Sequence, residues 1–323
     1  MFAQLLINNL SDNKKNTFYL KVSYHLFIFL RKYYLKMNKN VLVRYSLNGH
    51  SIVLPLRHDL PIIKNTFEYY DTAIGRIPKL LIQKYSDFQA IDVGANIGDT
   101  AIVIKSEVDI PVLCIEGDEY YFKLLIDNTK SLKNIYCEKC FVGKSTESNM
   151  QSVSYRGSAR LIKSSDQSKQ FEFKSLSQII KSYPGFDKIK FIKIDTDGFD
   201  CKIIRSNFDF IEGHKPVIYF EYDPYFLNLN DDVGLSVFNS LKIAGYNKLM
   251  IYDNTGRFIL STNVNEIKLL EELHVYYSGR NGGMYMDICA FHQCDNDIAE
   301  EIIKSELKLS QGTLKNISVD VPD

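Results

Sequence analysis

From Gln89 onward, short apolar runs alternate with helical segments, and this alternation constrains the fold more than any other feature. Gln89-Ala90-Ile91-Asp92-Val93 reads as a strand, Gly94-Ala95-Asn96-Ile97-Gly98 as a turn, and Asp99 to Lys105 as the start of a helix. Val112-Leu113-Cys114-Ile115 is a second strand ending at Glu116, and Tyr120 to Thr129 is the next helix. Ile135 to Val142, Phe191 to Ile194 and Val217 to Phe220 follow as strands, and Lys248 to Tyr252 and Asp287 to Phe291 complete seven. Strands this short and continuously apolar are buried on both faces, which demands a mostly parallel sheet with helices on either side. The expected class is α/β with a seven-stranded, mostly parallel sheet.

Around this body, residues 1–40 read as a helical leader and 41–86 as a β-hairpin and cap region. Residues 87–295 form the α/β domain, and 296–323 a C-terminal helix and tail. Asn48-Gly49 between Val41–Tyr45 and Ser51–Leu54 is a hairpin turn. A helix is expected over Pro78–Tyr85, and an exposed loop or hairpin tip over Ser164–Gln170. No internal repeat is visible.

Charge narrows the range of partners. The 39 basic residues balance 39 acidic ones, which argues against a general nucleic-acid binder resting on clustered Lys and Arg. The six cysteines lie mostly in strand-like runs, so reduced thiols in a core are expected rather than a disulfide framework. Cys137 and Cys140 form a single C-x-x-C, but within a strand, where residues three apart point to opposite faces. Met1 to Asn16 lacks the features of a signal peptide, so a cytoplasmic location is expected. His25–Leu30 is too short to span a bilayer. Phe18–Lys36 mixes aromatics with Lys21, Arg31, Lys32 and Lys36, so this helix either packs on its own domain or makes peripheral contact with a membrane surface through 18–36. The oligomeric state is not legible.

In open α/β sheets ligands bind beyond the carboxyl ends of the strands, where strand order reverses. Asp92 to Gly98, Glu116, Asp195 and Glu221 all close predicted strands. Gly94 permits the sharp turn, and Gly98 is read as allowing close approach of the helix to the ligand. A dinucleotide fingerprint would place a third Gly here and no side chain at Asn96. An amide at that position suits a ligand bearing both carboxylate and ammonium, and Asp92 can accept from the ammonium. Glu116, 18 positions after Gly98, stands where an acid accepts from ribose hydroxyls. Asp195 points into the crevice beside Glu221, so two carboxylates share one site. Asp197 and Asp200 are read as favouring the following helix N-terminus. His58, Tyr69, Tyr70 and Asp71 are candidates for a lid over the crevice, with His58, Tyr70 and Asp71 as substrate contacts. His214 and His274 sit in polar contexts and carry no assigned role.

From Asp92 to about Pro224 the chain resembles the FkbM family of methyltransferases. The likeness lies in IDVGANIGDTA (Ile91–Ala101), CIEGDEYYFKLLIDN (Cys114–Asn128), FKSLSQII (Phe173–Ile180), FIKIDTDGFDCKIIR (Phe191–Arg205) and VIYFEYDP (Val217–Pro224). Two departures stand out. The usual K-I-D-V-E-G-x-E reads Lys193 to Asp200 with shorter acids, and the usual E-P-N-P reads Glu116-Gly117-Asp118-Glu119. The resemblance implies a Rossmann-like fold and S-adenosylmethionine held by Asp92, Gly94, Asn96, Gly98, Asp99, Thr100, Glu116, Asp118, Cys140 and Phe141. It also implies methyl transfer to a hydroxyl of a sugar, glycan or natural product, a small-molecule or glycan acceptor with no nucleic acid. An alcohol needs a base, for which Asp195 is the first candidate and Glu221 the second. Direct displacement needs no Lewis acid, so no metal is expected. A nicotinamide-dependent oxidoreductase and a catalytically silent binding protein of the same fold are the competing readings.

Overall fold

Asn48 and Gly49 turn the first hairpin with φ of 47° and 82°, the doubly left-handed geometry that Asn-Gly tolerates best. The structure, a computed structural model, describes residues 2–10, 18–38, 40–143, 150–155, 158–163 and 171–315. The loop expected over Ser164–Gln170 lies outside the described residues.

Helices α1 (Phe2–Leu10) and α2 (Phe18–Met37) precede the hairpin strands β1 (Leu42–Leu47) and β2 (His50–Pro55). Then come α3 (Leu60–Thr66) and α4 (Ala73–Leu81). α4 starts earlier than the expected Pro78–Tyr85, because Ala73, Ile74, Ile77 and Leu81 make one buried helical stripe that holds the helix together through Pro78. The α/β body follows as β3 (Gln89–Val93), α5 (Asp99–Glu107), β4 (Val112–Ile115), α6 (Glu119–Thr129), β5 (Ile135–Glu138) and β6 (Phe141–Val142). A hairpin of β7 (Met150–Tyr155) and β8 (Ser158–Lys163) leads to β9 (Phe173–Lys174), α7 (Leu176–Ile180), β10 (Ile189–Ile194), α8 (Asp200–Ser206) and α9 (Phe208–His214). The chain ends with β11 (Val217–Tyr222), α10 (Pro224–Leu229), α11 (Ser236–Ile243), β12 (Tyr246–Asp253), β13 (Phe258–Asn263), α12 (Ile267–Ser278), β14 (Met286–His292) and α13 (Asn296–Lys315).

The central sheet has the order β13-β12-β14-β11-β10-β3-β4-β5. It therefore holds eight strands, not the expected seven. The added β13 hairpins antiparallel onto the edge of β12, and its half-buried alternation marks an edge strand rather than a core one. The pairs from β11 through β5 are parallel, and β14 is inserted antiparallel between β11 and β12. A second correction concerns Ile135–Val142, which is not one strand. Pairing with β4 stops at Glu138, and Phe141–Val142 instead pairs in parallel with Phe173–Lys174. Cys137 and Cys140 are thus separated by a break in the backbone ladder rather than by strand alternation.

One face of the sheet packs on α7, α8 and α11 through residues such as Leu176, Ile203 and Phe238. The other packs on α4, α5 and α13 through Ile77, Ile104 and Ile302. A third cluster joins α1 and the β1–β2 hairpin to α5 and α6, so Leu6, Ile52 and Leu54 are fully buried against Ile102 and Tyr121. The chain runs outward from β3 through β4 to β5 and then returns to β10 on the other side of β3. This reversal opens a crevice between the carboxyl ends of β3 and β10.

Candidate active site

A cavity of about 690 Å³ opens at that reversal, within the usual range for small-molecule sites. Its walls include His58, Tyr70, Asp71, Gly94, Asn96, Asp99, Thr100, Glu116, Cys140, Phe141, Asp195 and Glu221. The sequence-predicted residues Asp92, Gly98 and Asp118 stand behind this wall.

Each turn that shapes the cavity has a physical cause. Gly94 has φ +76°, and a Cβ there would stand 1.9 Å from the Asp195 carbonyl oxygen, so only glycine lets the ends of β3 and β10 touch. Gly98, at φ +86°, serves a different purpose from the one its sequence suggested. Its Cβ would meet Thr129 and Leu125 of α6 at 2.8 and 2.9 Å, so it permits helix packing rather than approach to a ligand. Asn96 is left-handed at φ 47°, which asparagine accepts more readily than other side chains. Its amide N–H donates to Glu116 Oε2 at 2.8 Å, and the Asp118 N–H donates to Glu116 Oε1 at 2.7 Å. Burial pushes the Glu116 carboxyl up to about 7, against those two amides, which favour the charged form.

Asp118 caps α6, accepting from the Tyr120 and Tyr121 amides and from the Ser152 hydroxyl at 2.7 Å. Gly117 lies flat under Phe141, whose ring atoms would sit 2.5 Å from any Cβ there. The absence of a side chain at Gly117 admits the ring. Phe141 and Phe173, with centroids 5.6 Å apart and planes tilted by 34°, join Ile115 and Cys140 as an apolar wall beside Glu116.

Lys193 was not singled out by the sequence, yet it organises the charge of the site. It pairs in register with Asp92 across β10 and β3. Its ammonium lies 3.2 Å from Asp92 Oδ1 and 3.4 Å from Asp195 Oδ2, and it donates to the Gly94 carbonyl at 3.1 Å. Burial pushes Lys193 down, but the Asp92 and Asp195 carboxylates more than reverse this and hold it above its usual range. Asp92 is fully buried, and burial raises its pKa against the pull of that ammonium. A signal for Lys193 was available: a lysine inside a continuous apolar strand must be paired, and residue i+2 on the same face is Asp195.

Asp195 is half-exposed and faces the cavity. Glu221, at the end of β11, is buried, and its Oε1 has no hydrogen-bond partner among the described residues. Burial and the nearby Asp195 push it well above the usual carboxylate range. Asp287 pairs with it in register and is raised for the same two reasons. Asp197 lines the cavity, whereas Asp200 fixes the turn by accepting from the Thr196 and Gly198 amides at 2.8 and 3.1 Å. Tyr225, Phe226, Asn254 and Tyr285 complete the wall and carried no sequence signal beyond their type.

The segment after the hairpin covers the crevice from one side. Arg31 of α2 donates to the carbonyls of Leu56 and His58 and pairs with Asp59 at 2.9 Å, which fixes that edge. Burial pushes His58 below its usual range, with Asp99 opposing. Tyr69 packs on the β12–β13 turn, where a Cβ on Gly256 would stand 2.0 Å from the Tyr69 carbonyl oxygen. Asp71 is left-handed at φ 56°, and burial pushes it up to about 7 against the pull of Lys64. Among the described residues no cluster of three His, Cys, Asp or Glu side chains could hold a metal ion.

The wall suits S-adenosylmethionine. Glu116 receives one backbone bond on each oxygen, which leaves lone pairs for a diol. The Phe141 and Phe173 wall offers a face for an aromatic base, and the surplus of carboxylates suits a cation.

Residues 92–247 match the family model described as the methyltransferase FkbM domain. A comparison with curated proteins returns no match. Among solved structures, the chain is similar to an O-methyltransferase from Bacillus cereus in complex with SAH, at 13% identity and TM-score 0.39, over 69% of this chain and 81% of that one. It is also similar to precorrin-6y C5,15-methyltransferase from Geobacter metallireducens, at 12% identity and TM-score 0.35, over 64% and 80%.

Proposed function

We infer, from the premise that residues 92–247 are an FkbM methyltransferase domain, that this S-adenosylmethionine-dependent methyltransferase acts on a hydroxyl of a neutral sugar, glycan or natural product. The observation that carries the acceptor class is the charge of the cavity. Burial drives Glu221 toward its neutral form and holds Asp71 and Glu116 near 7, and the other wall acids, Asp59, Asp99, Asp195 and Asp197, still outnumber the one lysine, Lys193. Such a wall repels phosphate and carboxylate groups and offers many acceptors to hydroxyl donors.

The cofactor supplies a methyl group already activated on a sulfonium, so the protein chiefly aligns the partners and removes a proton. Glu116 would accept from the ribose hydroxyls, and the Gly94–Asn96 turn, with Asp92 buried behind it, would hold the methionine end. Phe141 and Cys140 pack beside the base. Lys193 holds Asp195 at the crevice, and an Asp195 oxygen takes the proton of the attacking hydroxyl. Glu221, buried with one unpartnered oxygen, is the second candidate, and it ranks behind Asp195 because burial holds it toward the neutral form, which cannot take a proton. His58, Tyr70 and Asp71 cover the acceptor and exclude water.

Turnover of a labelled methyl donor against matched pairs of neutral and phosphorylated glycosides tests the acceptor class. Neutral members should be methylated, and methylation confined to phosphorylated members would refute it. Asp195→Asn should lower kcat by about 10²–10⁴ with little change in cofactor affinity. Lost affinity with kcat intact at saturating cofactor would place Asp195 in the cofactor site and leave Glu221 as the base.

A further inference from the structure

Helix α2 presents two faces with different partners. Phe27, Leu30, Tyr34 and Leu35 pack into the cluster shared with α1 and the hairpin, and Arg31 is buried in its contacts with Leu56, His58 and Asp59. The helix is therefore fixed to the body of the protein. On the opposite side Leu26, Phe29, Tyr33 and Met37 are 53%, 64%, 60% and 74% exposed. At about 100° per residue these four fall within about 80° of one another, so they form one apolar stripe along the helix. His25, Lys32 and Lys36 are exposed and follow one another along a neighbouring strip at the same spacing. On α1, Phe2 and Leu5 are also exposed, and the Phe2 ring meets Tyr34 with centroids 5.4 Å apart.

The charge around the stripe points to its occupant. Residues 18–37 contain Lys21, Arg31, Lys32 and Lys36 and no acidic residue. The first 40 residues carry seven Lys and Arg against Asp12 alone, in a chain whose formal charge is zero. A second copy packed on this face across a two-fold axis would bring the Lys32 and Lys36 rows together with no carboxylate on either helix to answer them. An anionic lipid surface answers both features, since it receives apolar side chains at the acyl boundary and lysines among its headgroups. No described helix is long and apolar enough to cross a membrane.

We propose that α2 docks this protein on anionic membrane surfaces, lying in the plane of the interface with Leu26, Phe29, Tyr33 and Met37 turned into the lipid. This rests on α2 alone and stands independently of the acceptor.

The chain has no tryptophan, so Phe29→Trp in this 323-residue chain gives a single reporter. Its emission should shift to the blue with vesicles of equal parts phosphatidylcholine and phosphatidylglycerol, and the protein should co-sediment with them. Binding should be at least tenfold weaker on pure phosphatidylcholine, and Lys32→Gln and Lys36→Gln should each weaken it about fivefold. Phe29→Glu should abolish binding, with a thermal melt like that of the wild type because the residue faces outward. No emission shift, or co-sedimentation unchanged in Phe29→Glu, overturns the proposal. So does a dimer that Phe29→Glu dissociates in a protein that ignores vesicles.

Discussion

Glu116 is held between opposing forces, and in the ribose role proposed for it this balance should make cofactor binding depend on pH. Burial pushes its carboxyl up to about 7, while the Asn96 and Asp118 amides favour the charged form. A ribose diol donating to Glu116 calls for the carboxylate, so binding is linked to loss of a proton. Each pH unit below about 7 then costs about 1.4 kcal/mol, and affinity for S-adenosylhomocysteine should fall about tenfold between about pH 8 and pH 6. Glu116→Gln keeps the shape but cannot titrate. At about pH 8 it should bind about 1.5–3 kcal/mol more weakly, roughly 10–150-fold, through loss of charge-assisted hydrogen bonds. Its own pH profile should be flatter, so the two proteins converge as pH falls. Asp71 titrates in the same range in both proteins, and for that reason the difference between them is the measurement, not either curve alone. Calorimetry in two buffers of different ionisation enthalpy should find close to one proton released by the wild type at about pH 6 and few at about pH 8. Parallel profiles, or no proton release at low pH, would remove Glu116 from the ribose role.

Gly94→Ala forces a Cβ against the Asp195 carbonyl at positive φ and should destabilise the fold by about 3–5 kcal/mol in urea unfolding; near-native stability would mean that the ends of β3 and β10 are not in contact. Asp71 rises from 3.8 to about 7 in the folded state, so its stabilising contribution is complete below about pH 3.8 and lost as pH rises through about 7. Asp71→Asn, which keeps the left-handed backbone, should therefore be more stable than the wild type by roughly 1–3 kcal/mol at about pH 8, with the gap shrinking by about pH 5 in thermal melts. Lys193→Met leaves Asp92 buried without its counter-charge and should cost about 3–5 kcal/mol. Part of that loss should return when Asp92→Asn is added, and equal stability of the single and double variants would show that the ion pair is not the cause.

The parallel part of the sheet was legible because strands covered on both faces leave unbroken apolar runs, as in Val112–Ile115 and Val217–Phe220. β13 was not, since Phe258–Asn263 is an edge strand with Ile259 and Ser261 exposed, the rest only partly buried, and no such run to betray it. Ile135–Val142 looked continuous because composition does not record where a ladder changes partners. Within the site, strand ends located Glu116, Asp195 and Glu221 on the cavity wall. They could not separate a carboxylate that faces a cavity from one that serves backbone amides, and Asp118 proves to be a helix cap. Gly98 shows the same limit: the need for a missing Cβ was readable, but the α6 side chains that require it come from 27 to 31 positions further along the chain.

The register that builds the sheet also sets the charge of the cavity. Pairing β10 with β3 places Lys193 opposite Asp92, and the period of two puts Asp195 on the same face. Pairing β11 with β14 places Glu221 opposite Asp287, two acids with no base between them in the ladder. One buried ammonium thus serves two carboxylates at 3.2 and 3.4 Å, while Glu221 and Asp287 are driven toward their neutral forms. The potential left at the point where strand order reverses comes from Asp99, Asp195 and Asp197 on the cavity wall against Lys193, and it is negative. A sulfonium-bearing donor answers that potential, and the neutral thioether left after transfer does not. At an effective dielectric of about 20, a charge about 4 Å from one carboxylate is worth up to about 4 kcal/mol, enough to separate a held substrate from a released product. Under the proposed function, the same arrangement of strands disfavours an anionic acceptor.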